Sequence, residues 1–119
     1  MSTHSIFSPS ASSRILNCPP SLALCAKVAD QASTYAAEGT DAHELCAYLV
    51  EQALGRDVKD PTEHLAYYNE EMQSCADGYA SFVMEEYAKA KANCPDTQVF
   101  VEQRVSISKW VPKCGGTAD

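Results

Sequence analysis

Hydrophobic residues in the middle of the chain recur at the three- and four-residue steps of an amphipathic α-helix. They predict a helix over about residues 40–55 that begins at Thr40, behind Gly39, and is closed by Gly55. The preceding segment, "QASTYAAEG", is typical of a polar connection. The apolar stripe of the predicted helix consists of Ala42, Leu45, Cys46, Leu49, Ala53 and Leu54.

A second and longer stripe follows. It predicts a helix over about residues 62–93, which at 1.5 Å per residue would be roughly 45 Å long. Pro61 stands near its first position, and Pro95 with Asp96 ends it. The stripe consists of Leu65, Tyr68, Met72, Cys75, Tyr79, Phe82 and Ala90.

Two short helices are expected before these. Ser8 followed by Pro9 is typical of an N-cap with proline at the first helical position. Pro19 and Pro20 end that helix, and Ser21 caps a second one of a turn or two.

The period changes to two in "TQVFVEQRVSIS", which predicts a strand over residues 98–108 with one buried face. Valines 99, 101 and 105 share that face with Ile107, and Glu102 lies on the other. After a turn, "TAD" is expected to open a second, antiparallel strand. Because a strand pair is at best marginal alone, we expect the sheet to continue past Asp119.

These elements give an α+β fold class. An N-terminal helical array of three to four helices, one of them long, occupies residues 1–96. Residues 97–119 are expected to begin a β-core that continues beyond the chain end, so residues 1–119 would form a single partial domain.

The net charge of −7 is unevenly distributed. Residues 36–96 carry thirteen acidic and four basic side chains, whereas the segments on either side are each slightly basic. An acidic chain is a poor electrostatic partner for DNA or RNA, which counts against nucleic-acid binding by the chain as it stands. It does not count against a cation site.

Cysteine usage and hydropathy indicate where the protein resides. No stretch approaches the roughly 20 apolar residues of a membrane span, and the first residues contain no apolar run preceded by lysines or arginines. We therefore expect a soluble, cytoplasmic protein without a membrane partner. None of the six cysteines forms a C-x-x-C pair, so buried free thiols are favoured over disulfides or a four-cysteine zinc site: Cys18, Cys25, Cys46, Cys75, Cys94 and Cys114.

Three side chains are candidates for chemistry, and each also has an ordinary explanation. His43, in the first turn of the predicted helix, is either a ligand or a capping or core residue. Glu102 is either functional or part of a solvated strand face, paired with a base such as Arg104 on a neighbouring strand. Asp119, after two glycines, is either a ligand or an ordinary turn aspartate.

Taken in order, the segments "SPSASSRILNCP", "EGTDAH", "VFVEQRV" and "GGTAD" resemble the N-terminal half of the RecB-like branch of the PD-(D/E)XK nucleases. The similarity is closest to a phage- and prophage-associated family of that branch whose function is unknown. It implies a truncated restriction-endonuclease-like core. The final Asp/Glu-x-Lys motif of the superfamily would lie beyond residue 119.

The resemblance also implies site residues. Gly39 and His43 match a Gly-x-x-x-His motif whose histidine is a metal ligand. Gly116 and Asp119 match a Gly-x-x-Asp motif whose carboxylate binds the metal. Glu102 matches a strand glutamate that orients the site or polarises a water. The implied cofactor is Mg²⁺ or Mn²⁺, which prefer oxygen ligands in octahedral geometry.

Two further sets of residues match less specifically. Some relatives in this branch hold an iron–sulfur cluster, and Cys18 stands where its first cysteine would be, although core packing beside the two prolines is favoured. Ser8, Ser10 and Arg14 are candidates for a DNA phosphate contact at a helix N-terminus, but helix capping explains both serines.

The leading hypothesis is the N-terminal fragment of a metal-dependent DNA nuclease in phage or prophage DNA metabolism, with DNA and phage recombination or replication proteins as partners. The fragment itself should hydrolyse DNA negligibly, because it lacks the lysine. The alternative is a non-catalytic helical adapter domain. A redox or zinc protein built on the six cysteines is the weakest hypothesis.

Overall fold

A computed structural model describes residues 5–29, 31 and 33–118 of the chain. Within these ranges there are four α-helices, one of them long, followed by a two-stranded antiparallel sheet, which confirms the predicted α+β arrangement. The chain folds as two compact units, residues 32–101 and residues 1–31 with 102–119. The elements are α1 (Ser12–Asn17), α2 (Ser21–Cys25), α3 (Thr34–Ala53), α4 (Glu70–Asn93), β1 (Gln103–Ser106) and β2 (Gly115–Ala118).

Helix α3 begins six residues before the predicted start. Ser33 caps it, its hydroxyl oxygen accepting a hydrogen bond of 3.1 Å from the backbone N–H of Ala36. The prediction that residues 34–39 form a polar connection is therefore wrong, because one interior glycine, Gly39, costs a helix only about 1 kcal/mol. At the other end Gly55 has a φ of 77°, the left-handed geometry expected of a glycine that follows a helix.

Helix α4 begins at Glu70, eight residues later than predicted. Asn69 caps it by accepting a hydrogen bond of 2.8 Å from the N–H of Met72, and acidic Glu70 and Glu71 follow at the positive end of the helix dipole. Over residues 62–69 the backbone makes turns instead. One of these turns is set by Asp60, whose carboxylate accepts from the N–H and the hydroxyl of Thr62 at 2.9 and 2.7 Å.

The core of the unit formed by residues 32–101 lies between α3 and α4. Leu45 is fully buried and packs with Leu65, Met72 and Ala76. Part of each predicted stripe therefore does face the core. Half-buried residues that pack against this cluster are Ala42, Cys46, Tyr48 and Leu49.

Contacts at both ends indicate that α3 and α4 run in the same direction. Near the start of α4, the backbone N–H of Tyr67 donates to the Asp41 carboxylate at 2.9 Å. Beyond the ends of both helices, the guanidinium of Arg56 donates to the Val99 carbonyl at 2.6 Å. The long connection over residues 54–69 carries the chain back to the starting end and adds buried Pro61 and Leu65 to the unit.

In the other unit, β1 and β2 form a hairpin. Its register pairs Gln103 with Ala118 and Ser106 with Gly115. The N-terminal segment adds a bridge between Phe7 and Cys114 at the turn, where the Phe7 N–H donates to the Lys113 carbonyl at 3.4 Å. The second predicted strand is thus confirmed.

The first predicted strand is much shorter than expected. Residues 98–102 lie outside β1, and all four of its residues are exposed, so the predicted buried face is wrong. The cause is local, because Glu102 has a φ of 49° and a left-handed residue interrupts the extended backbone. Val105, expected to be buried, is 45% exposed.

The cysteines are free thiols, but the prediction that they are buried is wrong. Four are exposed and two are half-buried. The half-buried ones, Cys46 and Cys114, lie on α3 and at the hairpin turn respectively.

Candidate functional site

His43 is exposed and lies in the third turn of α3, not in the first turn of a helix as predicted. Gly39 precedes it by four residues, and in an α-helix such a pair shares one face, with the later side chain leaning over the earlier turn. A Cβ placed on Gly39 would meet no atom within 4 Å. The Gly-x-x-x-His spacing therefore leaves open space one helical turn below the imidazole.

Glu102 is exposed and lies immediately before β1, not in the middle of a strand as predicted. Its φ of 49° is uncommon for a residue with a side chain and costs of order 1 kcal/mol or more. Such a conformation turns the side chain away from the alternation of the strand that follows. Glu102 is therefore placed by a backbone kink at the open end of the hairpin.

Asp119 lies outside the described residues. Its sequence neighbour Ala118 is the register partner of Gln103, which is itself the neighbour of Glu102. Gly116, two places before Ala118, lies against the N-terminal segment, and a Cβ there would stand 3.1 Å from Cδ of Pro9. A larger residue at position 116 would push these two segments apart.

The candidate serines and arginine of the N-terminal segment make hydrogen bonds within the fold. Ser8 precedes a 3₁₀ turn, Pro9–Ala11, as its N-cap residue, but its side chain makes no capping bond and lies 3.3 Å from the hydroxyl of Ser10. The guanidinium of Arg14 donates to the Ser21 carbonyl at 3.2 Å and to the Cys25 sulfur at 2.8 Å. Arg14 therefore ties α1 to α2.

Metal-ligand chemistry is incomplete in the described part of the chain. No three His, Cys, Asp or Glu side chains within it lie close enough together to hold a metal ion. Cys18 is exposed at the end of α1, and its backbone N–H donates to the Arg14 carbonyl. Carboxylate oxygens are the ligands that Mg²⁺ and Mn²⁺ prefer, and Asp119, the carboxylate that the resemblance makes a ligand, lies outside the described residues.

A pocket beside the hairpin was not anticipated from the sequence. Its volume is about 320 Å³, and none of the residues that line it is acidic. Arg104 of β1 and Lys113 of the turn contribute its cationic groups. Its polar lining is completed by Ser5, Ser106 and Ser108. The slight excess of basic residues outside residues 36–96 was the only sequence signal for it.

A larger groove of about 590 Å³ separates parts of α3 and α4. Two thiols, Cys46 and Cys75, line it beside Gly39. Burial raises the pKa of the Cys46 thiol, and the neighbouring Cys75 raises it further. Cys46 is therefore protonated and a poor nucleophile at neutral pH.

No helix in the described ranges is long and apolar enough to cross a membrane. No curated protein and no solved structure matches the chain. A family model does match, over residues 4–119, and the chain therefore belongs to the family described as "Protein of unknown function (DUF2800)".

Proposed function

We propose that this chain is the N-terminal part of a metal-dependent DNA nuclease of the RecB-like PD-(D/E)XK type. The observation that carries the proposal is the hairpin register. Gln103 and Ala118 are partners, and each is the sequence neighbour of one candidate carboxylate, Glu102 or Asp119. Facing Cα atoms on an antiparallel pair lie about 4.5–5.5 Å apart, so the two positions next to the candidate carboxylates are close, and we propose that the carboxylates share one site.

In this proposal the candidate side chains have different roles. Asp119 would bind the ion and Glu102 would orient the attacking water, and the resemblance makes His43 a further metal ligand. Bound Mg²⁺ or Mn²⁺ would supply a water of lowered pKa and offset the charge that develops on the phosphoryl group. The lysine that positions this water would come from sequence after residue 119. The substrate would be DNA in the cytoplasm, handled together with phage recombination or replication proteins.

The open space below His43 supports its assignment as a ligand. An ion with several waters needs room beside the imidazole, and Gly39 leaves that room where any other residue would fill it. His43→Ala should therefore weaken metal binding, and Gly39→Leu should weaken it while keeping the imidazole. A matched control is Gly78→Ala, which adds a side chain in open space on α4.

Metal binding by the 119-residue chain tests the proposal without requiring activity. Titration with Mn²⁺, followed by electron paramagnetic resonance, should show one site. Asp119→Asn should lower its affinity about tenfold because a ligand loses its charge, and Glu102→Gln should lower it about tenfold because the group that orients the bound water is lost. Asp96→Asn, an exposed aspartate between α4 and β1, is the control. Equal affinity in Asp119→Asn and in the unaltered chain would overturn the proposal.

A second candidate is a non-catalytic helical adapter domain, which the exposed aromatic residues of the α3–α4 unit favour. Tyr35 is 84% exposed and Phe82 60% exposed. If this candidate is right, the open reading frame that contains the chain has no Asp/Glu-x-Lys within the few dozen codons after residue 119. Reading that sequence separates the two candidates directly.

A further inference from the structure

The hairpin pocket concentrates positive charge in a chain that is otherwise acidic. The unit that contains it, residues 1–31 with 102–119, carries five basic and three acidic residues, whereas residues 32–101 carry four basic and thirteen acidic ones. The pocket lining includes two basic residues, Arg104 and Lys113, and no acidic one. Such a pocket attracts anions, because like-signed groups around one concavity add their potentials.

Contacts with the N-terminal segment fix the guanidinium of Arg104 and the backbone of Lys113. Arg104 donates one of its guanidinium N–H bonds to the hydroxyl of Ser5 at 3.3 Å. That contact orients the planar fork and uses one of the five N–H donors of the group. Lys113 has a φ of 59°, and its carbonyl accepts from the N–H of Phe7, so its backbone is tied to the N-terminal segment.

Ser106 and Ser108 line the pocket, and their hydroxyls donate hydrogen bonds within the turn. Ser106 donates from its hydroxyl to Ser108 at 3.0 Å, and Ser108 donates to the Cys114 carbonyl at 3.2 Å. These bonds direct both hydroxyl protons along the turn. Recognition of an anion therefore falls to the N–H groups of Arg104 and Lys113.

The ligand class follows from this donor set. A guanidinium fork and an ammonium group together match a tetrahedral phosphate, which accepts from several directions. A volume of about 320 Å³ holds roughly ten waters at about 30 Å³ each. The pocket is thus large enough for a phosphate group that keeps part of its hydration.

We propose that the pocket formed by Arg104, Lys113 and the serine turn is a phosphate-binding site, and that the phosphate is one of a DNA backbone. The DNA source rests on the proposed function, whereas the phosphate chemistry does not. Arg104, the second residue of β1, follows Glu102 by two positions, so their Cα atoms are at most about 7 Å apart. A phosphate held there would be a near neighbour of one placed at the open end of the hairpin.

The test follows binding of two probes to the 119-residue chain in EDTA. One probe is inorganic phosphate, read from ¹⁵N chemical shifts of the hairpin amides, and the other is a short DNA duplex, read from fluorescence anisotropy. Arg104→Gln and Lys113→Gln should each lower the affinity for phosphate and for the duplex about tenfold. Each should also reduce the slope of log affinity against log salt concentration for the duplex by about one. Lys109→Gln is the matched control, because Lys109 lies in the same turn but does not line the pocket.

Each outcome has a definite meaning. Loss of affinity for both probes in the pocket variants, but not in Lys109→Gln, supports the site and the DNA source. Loss of affinity for inorganic phosphate alone supports the site and assigns it to a free phosphate. Equal affinities in all variants, with the cross-strand amide contacts intact, overturn the phosphate site itself. Failure of Mn²⁺ binding at Asp119, with the pocket effects intact, would overturn the nuclease and leave the phosphate site standing.

Discussion

The two units of this protein are stabilised in different ways. The α3–α4 unit has an apolar core in which Leu45 is fully buried, with Met72 and Ala76 beside it. In the described residues of the hairpin unit, Gly115 is the one buried residue, and the two strands pair along their backbones. Burial of apolar side chains contributes about 1.5–3 kcal/mol each, whereas a hydrogen bond contributes about 1 kcal/mol net.

This difference bears on function, because the candidate chemistry lies on both units. His43 is carried by a helix with a packed face, but Glu102 and the phosphate pocket are carried by a hairpin with little core of its own. A two-stranded hairpin is marginally stable alone. We therefore expect ligands or further strands to stabilise the hairpin unit more than the helical one.

The strongest test of this comparison is removal of the central core side chain. Leu45→Ala should lower the free energy of unfolding of the helical unit by about 3 kcal/mol, because it deletes a fully buried side chain and leaves a cavity. Tyr35→Ala, at a tyrosine of the same unit that is 84% exposed, should change it by less than about 0.5 kcal/mol. Urea denaturation followed by circular dichroism at 222 nm measures both. Equal effects would mean that the core is not where the structure places it.

Adding one methyl group should have opposite effects in the two units. A Cβ on Gly115 would lie 2.8 Å from the Val105 carbonyl oxygen, so Gly115→Ala should destabilise the hairpin by about 1–3 kcal/mol. Gly78→Ala, in open space within α4, should stabilise its helix by up to about 1 kcal/mol. Hydrogen exchange of strand and helix amides reports each change separately. Stabilisation by both substitutions would contradict the close backbone approach in the hairpin.

The cap of α4 makes a smaller contribution. Asn69→Ala should cost about 1 kcal/mol, because the N–H of Met72 loses its acceptor. Asn69→Asp keeps an acceptor at the positive end of the helix and should restore that stability. The same urea titration measures both variants. If alanine and aspartate behaved alike, the cap would not be the reason that α4 begins at Glu70.

The smallest expected effect concerns the pKa of the Asp60 carboxyl. Hydrogen bonds from the backbone N–H and the hydroxyl of Thr62 lower the pKa of the Asp60 carboxyl below its ordinary value of 3.8. A lowered folded-state pKa stabilises the fold above the unfolded value, and that contribution is lost as pH falls through the folded value. Thr62→Ala should raise the pKa of Asp60, because the hydroxyl bond is lost. A ¹³C carboxyl titration by NMR shows this, and an unchanged midpoint would refute it.

The sequence predicted the helical unit better than the hairpin. Leu45 and Met72 were placed on the correct stripes because periodicity reflects burial, which is local to a helix face. Helix starts were missed because Ser33 and Asn69, the actual caps, were less conspicuous than Gly39 and Pro61. Glu102 was misplaced because an alternating pattern does not reveal a single left-handed residue.

Only part of the candidate site could be predicted from the sequence. The motif order singled out His43, Glu102 and Asp119, but it carried no information on Arg104 and Lys113 as a pair. Their pocket includes Ser5, which is about a hundred positions away from either of them in the chain. No local pattern encodes a contact between residues so far apart.

Taken by itself, the sequence determined the α+β class, the apolar helix faces, the glycine end of α3 and the segregation of charge. These properties depend on residue type and near neighbours, which is why they can be derived from the chain alone. Tertiary structure decided that the backbone turns at Glu102, that every residue of β1 is exposed, and that Arg104 and Lys113 line one pocket beside a serine turn. These depend on strand register and on backbone contacts between distant segments, which form only when the chain folds.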